Sequence, residues 1–165
     1  MVTLRRITPA DRQQLAEFWR EHWAGEEMLV HGDVFRPEQV EGFVNEDWTG
    51  LVTYVFQAEG CEIISLDSLK EAGGVGSALI DAVAEEATRR GCTRLFLGTT
   101  NDNLHALGFY QRRGFELVAV RRGAVTEARK RKPGIPLLGE NEIPVRDEIE
   151  LELRLPAQRK AGPGR

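Results

Sequence analysis

Three glycines within four residues, Gly73-Gly74-Val75-Gly76, open a run that continues through Ser77, Ala78, Leu79 and Ile80. Glycines where a strand gives way to a helix leave backbone N–H groups uncovered at the helix start. The helix dipole favours negative charge there, so the chemistry expected is the holding of a phosphate-bearing ligand. Two nucleotide motifs do not fit. No Lys-Ser or Lys-Thr follows the last glycine, as a P-loop requires, and Leu79 stands where a dinucleotide fingerprint has its third glycine. Taken alone, the glycines could equally serve only a tight connection.

A second segment sharpens the reading. TTNDNLHALGFYQRRGF follows the next apolar run, and in order and spacing the two segments together resemble the acetyl-CoA motifs of the GNAT acetyltransferase superfamily. Gly74 and Gly76 fill the glycine positions of that family's Arg/Gln-x-x-Gly-x-Gly/Ala loop, with Glu71 where Arg or Gln is usual, a departure of little weight if the phosphate contacts are backbone amides. The downstream helix resembles the pattern Asn-x-x-Ala-x-x-Phe-Tyr-x-x-x-Gly-Phe at Asn103, Ala106, Phe109, Tyr110, Gly114 and Phe115. The resemblance covers residues 1–155, with the motifs confined to 61–120.

It implies acetyl-CoA as co-substrate, no metal, and a primary amine, small molecule or protein, as acceptor. The family's fourth and fifth strands splay so that pantetheine lies between them. CEIISLDSL is the fourth strand here, and Ser68 and Leu69 at its end are expected to offer backbone groups. Gly73, Gly74, Val75, Gly76, Ser77 and Ala78 would hold the pyrophosphate, and Asn103, Ala106, Phe109 and Tyr110 would line the cofactor site. The connection from Leu69 to Gly74 is shorter than usual, so some phosphate contacts are expected to be missing.

Acyl transfer to an amine needs a neutral amine, a stabilised oxyanion and a proton for the leaving thiolate. By resemblance Tyr110 supplies that proton; the alternative is a packing tyrosine. By resemblance Glu62, an acidic residue near the start of the fourth strand, is the first candidate for the base, where burial would raise its pKa toward neutrality, and Asp67, nearer the cleft, is the second. Strict alternation puts the two on opposite faces, whereas a bulge in the fourth strand, common in this family, reverses parity and turns both toward the acceptor. Ordered water and His31 are further options, and a lone loop histidine is more often simply exposed. Glu26, Glu27, Asp33 and Asp67, with Trp19 and Trp23, would suit a cationic or aromatic amine, although the tryptophans lie on an apolar helical face and read better as core. A second reading is a non-catalytic acyl-CoA-binding or sensing module.

The elements that must position these residues are legible in outline. VTLRRI reads as a strand; Thr8, Pro9 and Asp11 then cap a helix that buries Leu15, Phe18 and Trp19 and ends before Gly25. Residues 26–42 carry the breakers Gly32, Pro37 and Gly42 and are expected to form a loop or short helical excursion. FVNED, LVTYVFQ and CEIISLDSL form an antiparallel meander, and Leu79 to Ala87 mark a helix ending at Gly91. TRLFLGTT then pairs parallel to the strand before that helix. A helix from Asp102 or Asn103 to Gly114, the strand FELVAV and the alternating strand DEIELELRL complete an α/β (α+β mixed) fold, with a mixed antiparallel and parallel sheet of about six or seven strands and helices on both faces. The stretch 121–146 is too long for a hairpin loop and is expected to hold a helix or a function.

Length and composition fit one domain over 1–155 with a disordered tail, 156–165. The formal net charge of −4 argues against nucleic acid, with the basic segment Arg121, Arg122 and Arg129–Lys132 expected to be a solvated face. No run approaches a membrane span, and the opening lacks the apolar core of a signal peptide, which points to the cytoplasm. Cys61 and Cys92 suit reduced, strand-buried thiols. Many relatives are dimers, so a homodimer is possible.

Overall fold

The computed structural model describes residues 2–70 and 73–157. In chain order the elements are β1 (Leu4–Arg6), α1 (Arg12–His22), β2 (Met28–Val30), β3 (Asp33–Phe35), β4 (Glu41–Asn45), β5 (Gly50–Gln57), β6 (Gly60–Ser68), α2 (Val75–Arg89), β7 (Arg94–Thr100), α3 (Leu104–Arg112), β8 (Glu116–Arg121), α4 (Ala124–Arg131) and β9 (Glu148–Arg154). One seven-stranded sheet runs in the order β1-β4-β5-β6-β7-β9-β8, with β6 and β7 parallel and the other neighbours antiparallel.

Alternation along the strands builds two cores, one on each side. Tyr54, Cys61, Ile63, Leu95, Leu97, Leu151 and Leu153 pack with Leu79, Ile80 and Val83 of α2 and with Tyr110 of α3. On the other side Leu51, Val44 and Ile64 pack with Leu15, Phe18 and Trp19 of α1. Periodicity placed these helices correctly because each buries a single apolar stripe. The end of α2 is fixed in backbone terms: Gly91 is left-handed (φ 82), its amide donates to Thr88, and the Cys92 amide donates to Ala87, which satisfies the last carbonyls of the helix.

Two features of the sheet shape the site. Thr53 pairs with Ser65 and Tyr54 with Ile63, so Ile64 is an extra residue in β6, a bulge that reverses parity along that strand. Further, β6 pairs with β7 only at Cys61↔Leu95 and Glu62↔Phe96. Beyond those two pairs β7 follows β9, pairing from Arg94 to Thr100, and β6 follows β5, so a gap opens between Ile63–Ser68 and Leu97–Thr100.

Residues 28–35 correct the expected loop or helical excursion: β2 and β3 form a hairpin closed by His31-Gly32, both left-handed (φ 52 and 83). Three-residue strands are too short to show a period, and histidine stands where such a turn usually takes Asn or Asp. Within 121–146 lies α4. Of the basic segment expected to be a solvated face, Arg122 and Lys130 are exposed, whereas the others are latches: Arg121 pairs with Glu148 and Glu150, Arg129 donates to Ile135, Pro136 and Val145 carbonyls, Arg131 to Gly32 O and Lys132 to Trp23 O and Glu27 O. Cys61 and Cys92 are free thiols, Cys61 buried in β6 and Cys92 in the turn before β7. No described helix is long and apolar enough to cross a membrane. Of the tail expected to be disordered, 158–165 lie outside the described residues.

Helices α2 and α3 meet at Gly76, where an added Cβ would stand 2.8 Å from Phe109 Cζ. Gly76→Ala is therefore expected to cost about 1–3 kcal/mol in urea denaturation, and clearly less in a Phe109→Leu background. Equal losses in both backgrounds would contradict this packing.

Candidate functional site

The gap between β6 and β7 collects most of the residues singled out in the sequence. At its open end stands the start of α2. Gly73 (φ 103) and Gly74 (φ 73) are left-handed, with open space where a Cβ would be, and turn the chain into the helix. The first helical bond runs from Ala78 N to Gly74 O, so the Val75, Gly76 and Ser77 amides stand before the ladder begins while that of Ala78 is already used within it. A Cβ at Gly76 would meet Phe109, which gives that glycine a packing reason as well. Beside this helix end Arg113 donates from Nε to Ser77 Oγ (2.8 Å) and lies over the Phe109 ring at 3.4 Å; burial lowers its pKa. An open cavity of roughly 1100 Å³ runs from Ser77 along α2 toward the end of β9, with Arg112 and Arg113 but also Asp81 and Glu85 on its wall. Glu71 lies outside the described residues.

Along the gap, the edge of β6 from Ile63 to Ser68 has no strand partner on the β7 side. The Leu69 amide donates to Thr49 O at 2.7 Å, and Ser68 Oγ donates to Lys70 O. Asn103 caps α3, its side chain accepting from Ala106 N at 3.1 Å, so both residues have a structural duty. Tyr110 is buried, its ring edge-on to Phe109 and Phe115, both 5.3 Å away. Burial first, and the Asp67 carboxylate second, push its phenol pKa up and keep it protonated.

Because of the extra residue at Ile64, Glu62 and Asp67 emerge on one face, the side of α1 and the hairpin. Between them Ser65 Oγ accepts from Trp19 Nε1, while Ile63 and Leu66 turn to the α2 side. Asp67 is half-buried, and both its oxygens accept from Trp23 Nε1 (3.2 and 2.9 Å). Burial nevertheless outweighs that bond and moves its carboxyl up to about 6. Trp23 is thus part of the site and not core, although Trp19 is core. Glu26 and Glu27 are spent on Arg20 and Arg36.

Glu62 is 1% exposed. Oε1 accepts from Gln57 Nε2 at 3.0 Å, and Oε2 lies 3.2 Å from His31 Nε2. His31 Nδ1 lies 2.8 Å from Glu148 Oε1, so one imidazole bridges two carboxylates. Glu148 first and Glu62 second raise its pKa to about 10, making it an imidazolium at neutral pH. Sequence reasoning missed Glu148, Lys132 and Arg113. The alternation of β9 marked Glu148 as facing away from the apolar side, but nothing local pairs it with a histidine from a distant hairpin.

The family model described as "Acetyltransferase (GNAT) family" matches residues 11–115, more than half of the chain. The chain belongs to the GNAT acetyltransferase family. The protein is accordingly an acyltransferase. It is similar to the uncharacterized protein YxbD of Bacillus subtilis (strain 168), 43% identical over 141 residues that span 83% of this chain and 89% of that one. Among solved structures it is similar in fold to a Bacillus subtilis acetyltransferase in complex with CoA (TM-score 0.69, 19% identity, covering 94% of this chain and 99% of that one). An Elizabethkingia anophelis GNAT acetyltransferase with acetyl-CoA bound is likewise similar (TM-score 0.67, 20% identity, 93% and 98% covered).

The His31 bridge has a pH signature. The raised pKa means that the folded chain holds a proton the unfolded chain releases, so this contribution to stability is complete below about 6.5 and is lost as pH rises toward about 10. The difference in unfolding free energy between the wild type and His31→Gln is expected to be largest near pH 6, on the order of 1 kcal/mol after discounting for solvent screening, and to close toward pH 10. A difference independent of pH would contradict the charged bridge.

Proposed function

We propose that this GNAT enzyme moves an acetyl group from acetyl-CoA to a primary amine by direct transfer. The observation that carries the reading is the gap between β6 and β7, with unpaired helix-start amides at its mouth and, beside it, the Asp67 carboxylate close enough to the Tyr110 phenol for its charge to raise the phenol's pKa. The CoA complexes of the structural relatives support the choice of co-substrate. The pyrophosphate would meet the Val75, Gly76 and Ser77 amides, with Arg112 and Arg113 adding positive charge, and pantetheine would pair with the free edge of β6 from Ile63 to Ser68.

The amine nitrogen attacks the thioester carbonyl carbon, forming the C–N bond, and the C–S bond breaks as the intermediate collapses. One amine proton goes to the Asp67 carboxylate, which Trp23 holds in orientation, and the Tyr110 hydroxyl gives its proton to the departing sulfur. A carboxyl with its pKa near 6 is ionised at neutral pH and is a better-matched base than one ion-paired to an imidazolium, so the environments favour Asp67 over Glu62 for this step.

Tyr110→Phe is expected to lower kcat by roughly 10- to 1,000-fold while leaving the CoA Kd nearly unchanged, since the hydroxyl matters when charge grows on sulfur. Unaltered turnover with reduced thermal stability would make Tyr110 a packing residue. With a weakly basic aryl amine, whose own protonation stays clear of the range, kcat/KM should rise with pH through about 6 as Asp67 ionises. Asp67→Asn should abolish that rise; a retained inflection would assign the base elsewhere. Binding of CoA with no thiol release across a broad amine panel would instead support a sensing module.

A further inference from the structure

The acid–base pair leaves Glu62 unused, and its surroundings are unusual for a buried carboxylate. It stands at the last residue pair joining β6 to β7, and its Oε2, shielded from solvent, faces the His31 imidazolium at 3.2 Å without a well-aligned hydrogen bond. An ion contact so poorly aligned leaves that buried oxygen under-satisfied. Facing it is Glu148 of β9, whose carboxylate occupies the space over Gly98, since a Cβ there would meet Oε1 at 2.6 Å. Two carboxylates therefore converge on one spot, and the cation there arrives from outside the sheet. His31 is delivered on a two-residue turn, in a left-handed conformation that residues other than glycine adopt at a cost.

The other charges around the spot are committed. Arg121 of β8, 3.3 Å from Glu148, also pairs with Glu150; Arg94 of β7 holds Glu150 and Glu152. Arg131 at the end of α4 and Lys132 just after it are spent on backbone carbonyls, and Gln57 of β5 serves Glu62 Oε1. His31 stands 3.2 Å from Glu62 and 2.8 Å from Glu148, so the trio is held by charge pairing. Of its members only His31 lies on a short surface turn and can leave without unpicking the sheet.

Resting on the acyl-transfer reading, we infer that Glu62 and Glu148 form a subsite for a second positive charge on the acceptor, and that His31 holds that place until an alkylammonium displaces it. The preferred acceptor is then a diamine: one nitrogen, neutral, is acetylated beside Asp67 and Tyr110, and the other, charged, is paired at the narrow end of the gap. Two fixed carboxylates can discriminate a dication from a monoamine of equal length by the strength of charge-assisted hydrogen bonds. A residue that merely steadied Glu62 and a residue that occupies the ligand's place make opposite predictions on removal.

The test uses the full chain with alkane diamines of three to six carbons, each against the monoamine of equal length, read by acetyl-CoA thiol release and by calorimetry. At least one diamine should show a KM about tenfold or more below its monoamine, and Glu148→Gln should erase most of that ratio. His31→Ala should tighten diamine binding several-fold by removing the competitor. Glu148 lies at the sheet's open side, so its variant carries the test should Glu62→Gln not fold. The subsite is overturned if no diamine binds or is preferred, or if His31→Ala weakens diamine binding as Glu148→Gln does. Equal acetylation of diamines and monoamines removes the subsite and leaves the transferase. Glu148-dependent diamine binding without thiol release keeps the subsite and removes the transfer reading.

Discussion

Two strands that start as neighbours and then part are the constraint on which this molecule depends. β6 and β7 share only two residue pairs, Cys61↔Leu95 and Glu62↔Phe96. Each then completes its backbone pairing on its other side, β6 with β5 and β7 with β9. The sheet thus keeps its stability while exposing one strand edge internally, something an ordinary sheet does only at its margins. Helices α2 and α3 cover the gap from one side, and their close approach at Gly76 against Phe109 fixes where the helix-start amides stand relative to Tyr110.

The single extra residue at Ile64 has consequences out of proportion to its size. Without it, Glu62 and Asp67 would face opposite sides of the sheet; with it, both join Ser65 on the side of α1 and the hairpin. Their surroundings then separate their properties. Asp67 meets an indole N–H, and burial outweighs that bond and the nearby His22 to raise its pKa. Glu62 is enclosed more deeply, yet shares an imidazolium with Glu148. One face therefore offers a tunable proton acceptor at the wide end of the gap and a fixed pair of charges at the narrow end, a division suited to recognising one part of a substrate while reacting with another.

Most of the framework was legible in the sequence because each helix and long strand carries one apolar stripe or one alternation, and because Gly74, Asn103, Tyr110 and Gly114 fall at spacings that few other folds share. The bulge was anticipated only through family resemblance. What was hidden lies in tertiary juxtaposition. The hairpin at 28–35 is too short for a period, and its turn uses His31 in an Asn-like position. Trp23 reads as core by helical spacing, yet it stands just past the end of α1, exposed on one side, and its indole reaches Asp67. Lys132, in a basic run that reads as solvated, spans to the carbonyls of Trp23 and Glu27. Such contacts join positions about a hundred residues apart in sequence, and no local pattern announces them.

The central claim is that the parted strands are where the acyl donor lies. Amide hydrogen exchange with and without CoA measures this most directly. The account predicts slowed exchange along β6 between Ile63 and Ser68 and at the first turn of α2, with β1, β4 and β9 little changed. Slowed exchange elsewhere, with the free edge of β6 unaffected by saturating CoA, would contradict it.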